Sequence, residues 1–315
     1  LTNAVTASAK SHPRSRELTQ LRDSDMTPNE LLTIIAHVSR SAGIVGSMLA
    51  MGLGLTLSQI IQPLKNVRLV VLALLANFVL VPLLAYGISL IIPLEDSLRI
   101  GLMILAASAG APFLVLEAQG AKANLALAVG LMTLLMVVTI FFLPLVLPLL
   151  LTGIDVDAWS IAKSLIVLML IPLVLGLLVR STAPDTAKKW QPIMNKIGAL
   201  GIIILLVVGL GLNLSNVIDL IGTGGFLALL LFIAGSLLIG FVIGGREPDV
   251  RNVTGLATAQ RNVSAAIVVT LQNFADTNAL PFVLVASILI PFILLPTARW
   301  LGQRAKSAQP TAIVG

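Results

Sequence analysis

Residues 258–264 read Thr-Ala-Gln-Arg-Asn-Val-Ser and sit at the centre of an otherwise apolar stretch, 252–275. A charged side chain at the middle of a bilayer costs at least about 3 kcal/mol, so Arg261 is expected to face a cavity or a partner. A guanidinium offers five donors in a planar fork that matches carboxylates and other oxyanions. Gln260 and Asn262 place carbonyl and amide groups on opposite sides of it, and Ser264 adds a hydroxyl. The chemistry on offer is therefore anion recognition inside a membrane. The plain alternative is a polar cluster that holds helices together.

A second apolar stretch, 98–118, is interrupted in the same way. Ser108, Gly110 and Pro112 fall near its middle. Pro112 lacks a donor and disfavours helical geometry at Ala111, so freed backbone groups there need protein, water or ligand as partners. A simple proline kink is the alternative to a true break. Glu117, towards the end of this stretch, is open to three roles: pairing with Arg261, snorkelling to the interface, or titrating during a transport cycle. Asn77 is a lone carboxamide in an apolar run. Thr133 is similar, and a membrane threonine can satisfy itself on its own helix.

Lipid must be the solvent for elements of this kind. Hydrophobic residues make up 57% of the 315 positions and charged residues 11%, with a mean hydropathy of +1.02. A soluble domain carries roughly a quarter of its residues as charged types. Apolar runs long enough to cross a bilayer, about 20 helical residues, occur at 31–56, 69–94, 98–118, 124–151, 158–180, 192–213, 216–244, 252–275 and 279–301. The expected fold is an all-α polytopic membrane protein of about nine transmembrane helices. Residues 28–303 form one membrane domain, with a polar tail at 1–27 and a short tail at 304–315. Residues 1–27 are expected to be disordered, or to lie upstream of a translation start at Met26.

The connections give an orientation. Lys65, Arg68, Lys122, Arg180, Lys188, Lys189, Arg246, Arg251, Arg299, Arg304 and Lys306 share one side, whereas Glu95, Asp96, Asp155, Asp157, Asp219 and Asp276 share the other with Arg99. The positive-inside rule then makes the C-terminus cytoplasmic and the N-terminus external, in a bacterial-type inner membrane. Four basic residues in the N-terminal tail count against this. Lys163, Lys196 and Arg40 are expected to anchor at the interface. The basic residues form no stripe with interleaved aromatics, so nucleic acid is not an expected partner. An intramembrane enzyme would need a catalytic set, but no pair of Asp residues lies within a run, there are no cysteines, and the two histidines are His12 and His37. A metal cofactor is likewise not expected.

Two interrupted runs that cross in opposite directions, in corresponding halves of a chain, point to a transporter built from inverted repeats. The stretches SMLAMGLGLTLSQIIQPLKNVRLVVLALLANFVLVPLLA (47–85), GLMILAASAGAPFLVLEAQGAKANLALAVGLMTLL (101–135) and GLATAQRNVSAAIVV (255–269) resemble, in order and spacing, the bile acid:sodium symporter family. The resemblance implies a core and a panel domain, with repeats at about 31–151 and 158–301. It also implies two broken helices that cross in the core, and an organic anion carried by alternating access with sodium. It places sodium-ligand positions at Leu114, Val115, Ala128, Met132 and Leu256, where no side chain can ligate. Asn77 and Gln260 are the oxygen-bearing positions that remain.

The expected function is therefore a secondary active transporter of a small organic anion. Its expected substrate-binding residues are Asn77, Ser108, Gln260, Arg261, Asn262 and Ser264, with Glu117 and Thr133 as coupling residues. In this reading the Arg261 guanidinium stands in place of sodium. A proton-coupled or uncoupled carrier, or a channel of the same fold, remains the alternative.

Overall fold

The computed structural model describes residues 28–151, 157–212, 214–274 and 277–307. The expected tail at 1–27 and most of that at 304–315 lie outside these residues. Among the described residues the chain is helical throughout, with no strand beyond a single bridge at 109 and 261.

Seven helices are long and apolar enough to cross a membrane. They are α1 (Pro28–Gly54), α3 (Val67–Ile91), α6 (Leu125–Leu150), α7 (Ala158–Thr182), α8 (Pro184–Leu212), α10 (Gly225–Gly244) and α13 (Ala279–Ser307). Two further expected runs are each split in two. The first gives α4 (Asp96–Ala107) and α5 (Phe113–Gly120). The second gives α11 (Pro248–Ala259) and α12 (Val263–Asn273). Short helices α2 (Leu57–Leu64) and α9 (Leu214–Gly222) complete the set.

Several boundaries differ from expectation. The run expected at 192–213 begins at Pro184, so Lys188 and Lys189 lie on α8 rather than in a loop. The run expected at 216–244 is divided at Gly224, whose φ of +77° ends α9 before α10 begins. The last helix continues to Ser307, past the expected boundary at 303.

The outward faces are what lipid requires. Leu145, Leu149, Val242 and Phe292 are each more than 70% exposed, an arrangement that water would penalise and hydrocarbon would not. Packing in such a solvent depends on close approach of small residues. At the α1–α8 contact a side chain on Gly201 would strike the backbone of Gly43 and Ser39. Helices α1, α7 and α8 form one layer. The second layer holds α3, α6, α10 and α13 around the two interrupted helices.

Two long helices contain a π-turn, at Ala76–Leu80 in α3 and Ile166–Leu170 in α7. Each is followed by a proline, Pro82 and Pro172, near the start of the next segment. A proline inside a helix lacks a donor and crowds the carbonyl four residues back, and a widened turn accommodates both effects. The first π-turn carries Asn77.

Candidate functional site: the crossing of two interrupted helices

The two interruptions meet. Ala109 and Arg261 form an isolated antiparallel bridge, and the Asn262 N–H donates to the Ser108 carbonyl at 2.9 Å. The backbone groups released by each break are thus partly satisfied by the other. Helix α4 packs against α12, and α5 against α11, as expected for two helices that cross at their breaks.

The first break is held from outside by Thr139 on α6. Its hydroxyl accepts the Ala109 N–H at 2.9 Å and donates to the Ala109 carbonyl at 3.0 Å. Gly110, with a φ of +77°, lies against the backbone of α6 at Met132, Leu135 and Met136, where a Cβ would have no room. Glycine is required here both by conformation and by space. The Ser108 hydroxyl donates to the Ile104 carbonyl at 2.6 Å, which closes the end of α4.

The second break carries the charge. Arg261 is fully buried, and its Nη2 donates to Oδ1 of Asn77 at 2.7 Å. Nδ2 of Asn77 donates to the Ala73 carbonyl at 3.0 Å and lies 3.4 Å from the Thr258 hydroxyl. Asn77 is separated from Arg261 by 184 positions in sequence and is the neutral oxygen to which the cation is bound. Nε and Nη1 of Arg261, Nδ2 of Asn262 and Oε1 of Gln260 are buried with no hydrogen-bond partner. Oδ1 of Asn262 accepts the Ala265 N–H at 3.1 Å and caps α12. Nε2 of Gln260 lies 3.5 Å from the Arg261 carbonyl. Ser264 is half-buried on the first turn of α12. Unsatisfied donors therefore cluster around one cation, at a point where the N-terminal ends of α5 and α12 also converge. That combination suits an anion.

The two expected coupling residues are placed differently. Thr133 donates to the Val129 carbonyl at 2.9 Å, so it is satisfied on its own helix and does not join the crossing. Glu117 neither snorkels nor pairs with Arg261: it is fully buried, and neither of its carboxylate oxygens has a partner. Arg99 and Asp96 form an ion pair at 2.9 Å on the surface. Lys163 and Lys196 are exposed, as anchors require. Arg40 is half-buried, with Nη2 lying 3.4 Å from His37 Nδ1.

Sequence reasoning missed Thr139. A threonine in a membrane helix ordinarily bonds its own backbone, and nothing local distinguishes this one. The positions that the family resemblance assigns to sodium ligation carry no side-chain oxygen. Leu114, Ala128, Met132 and Leu256 are buried apolar side chains, and the Asn77 oxygen is already bound to a cationic donor.

Apolar spanning helices around a buried crossing of two broken ones define an all-α polytopic membrane protein. Residues 42–220 match the family model described as the sodium bile acid symporter family. The chain belongs to that family. A probable sodium/metabolite cotransporter BASS3, chloroplastic, of Arabidopsis thaliana is 24% identical over 242 residues, which is 75% of this chain and 56% of the relative. The BASS2 protein of the same description from Oryza sativa subsp. japonica is 30% identical over 155 residues, 49% of this chain and 37% of the relative. A rice BASS3 protein is 22% identical over 262 residues, 81% of this chain and 62% of the relative. The chain thus spans about half the length of the curated relatives it matches.

Proposed function

We propose that the chain is a secondary transporter that carries a small organic anion across the membrane by alternating access, with Arg261 as its fixed binding charge. The observation that carries this reading is a buried guanidinium at the crossing, bound to a neutral oxygen and flanked by unpartnered donors. An anion placed there would satisfy Nε, Nη1 and the Asn262 amide together. It would neutralise a charge that is otherwise costly at this depth. The crossing is closed in this conformation, with Ser108, Gln260, Arg261 and Asn262 all buried. Substrate entry therefore requires the core to move against the α1–α7–α8 panel.

The relatives' printed names pair a metabolite with sodium. In this chain the side chains do not fit sodium. The positions that the resemblance assigns to ligation are apolar, and the Asn77 oxygen faces a guanidinium, which repels a second cation. Transport here proceeds without bound sodium, and Arg261 supplies the positive charge. The interrupted pairs α4–α5 and α11–α12 add two crossings to the seven long helices, which makes nine. The C-terminus is cytoplasmic by the basic-residue rule.

The test is uptake of labelled bile acid, sterol sulfate and short monocarboxylate into proteoliposomes, with sodium and proton gradients imposed separately. Saturable uptake of at least one anion, indifferent to sodium and abolished in Arg261→Gln, is the expected result. Sodium-driven uptake that survives Arg261→Gln overturns the fixed-charge reading. Uptake that rises linearly without saturation makes the protein a channel.

A further inference from the structure

Among the described residues, two ionisable side chains are fully enclosed by protein, one on each interrupted helix: Arg261 and Glu117. The anion site uses the first and leaves the second unexplained. Glu117 lies in the last turn of α5, on a face shared with buried Leu114, Ala118 and Ala121. No donor reaches either of its oxygens. The C-terminal end of a helix is also the wrong end for a negative charge.

Nothing packed against α5 compensates. Helix α6 carries no charged residue. Helix α11 has Asp249 and Arg251 near its start, both exposed. On α13, Arg299 and Arg304 are exposed, and Arg304 stacks on Trp300 at 3.9 Å. Lys122, in the turn after α5, is exposed as well. A hard cation would need several oxygen ligands, and among the described residues no group of three or more carboxylate, histidine or cysteine side chains could hold one. A buried carboxylate without a donor is costly, whereas a buried carboxylic acid is far less so.

We propose that Glu117 is a proton-binding site coupled to opening of the crossing. In the closed conformation the carboxyl group keeps its O–H bond. When the core moves against the panel and water enters the crossing to reach it, the O–H bond breaks, and the proton passes to that water and leaves a carboxylate. The proton is then the co-transported ion of the anion carrier proposed above, and the proposal rests on that reading only in this last step.

The experiment needs no transported substrate. The full chain is reconstituted in liposomes and examined by infrared spectroscopy for a protonated-carboxyl C=O stretch. The chain has no cysteine, so Ala111→Cys, at the buried first break, serves as a maleimide reporter of opening. The expected result is a protonated-carboxyl band at neutral pH that is lost in Glu117→Gln. Labelling of Ala111→Cys should also rise several-fold more steeply with pH in the parent than in Glu117→Gln. Glu117→Asp keeps a titratable group and should retain a displaced profile if Glu117→Gln fails to fold. An unchanged band in Glu117→Gln, or identical labelling profiles in parent and variants, overturns the proposal. Failure of the anion-carrier reading would show separately, as absent uptake with the Glu117 band intact.

Discussion

Arg261 gives one N–H to a neutral amide oxygen and leaves two nitrogens without partners, an arrangement that costs stability rather than adding to it. An unpaired buried charge is among the more expensive features a core can hold. Residues kept at such a cost mark functional sites more reliably than residues that merely pack well. Replacing Arg261 by Gln should therefore separate the two quantities. Apparent Tm in detergent is expected to stay level or rise, while anion uptake falls to background. A variant that loses uptake and Tm together would indicate a structural arginine. Asn77 illustrates what one sequence conceals. A lone carboxamide in LALLANFVLVP carries little meaning until a contact across 184 positions shows which cation it serves, and no local pattern encodes that contact.

At the scale of elements, the breaks depend on what surrounds them as well as on their own residues. Thr139 binds both backbone groups of Ala109. Thr139→Val keeps the shape and removes the hydroxyl, leaving a buried N–H and C=O unpaired at about 1–3 kcal/mol each. Apparent Tm should fall by several degrees, with Thr139→Ser close to the parent. Gly110→Ala adds a methyl where α6 backbone already lies and where φ is positive, so it should yield little folded protein in size-exclusion profiles. Gly87→Ala, at a position with open space, should behave as the parent does. The positions of both breaks were legible in the sequence because Gly and Pro, or a run of polar side chains, have few other uses at that depth. The supports were not legible: Thr139 looks like any self-satisfied threonine, and the π-turn at Asn77 follows from Pro82 only once the helix is seen to continue through it. Glu117 was visible as an ionisable residue, but its isolation became clear only from the packing of three neighbouring helices.

At the scale of the whole molecule, the layered arrangement suggests how a closed crossing could open without unfolding. The two backbone breaks are bonded to each other and to α6, so the core is expected to move as a unit. The panel meets it where α7 packs on α6 and α12 and α8 packs on α13. One of these is the hydrogen bond from the Ser164 hydroxyl on α7 to the Gln272 side chain on α12. Rocking of core against panel must break or shift such a contact, whereas a channel that opens by local side-chain motion need not disturb it. In a chain without native cysteine, Ser164→Cys combined with Gln272→Cys can be joined by a short bis-maleimide. Cross-linking should arrest anion uptake, while the two single variants treated in the same way should transport normally. Continued uptake through the cross-linked protein would show that the layers need not part, and would favour a pore through the crossing over an alternating carrier.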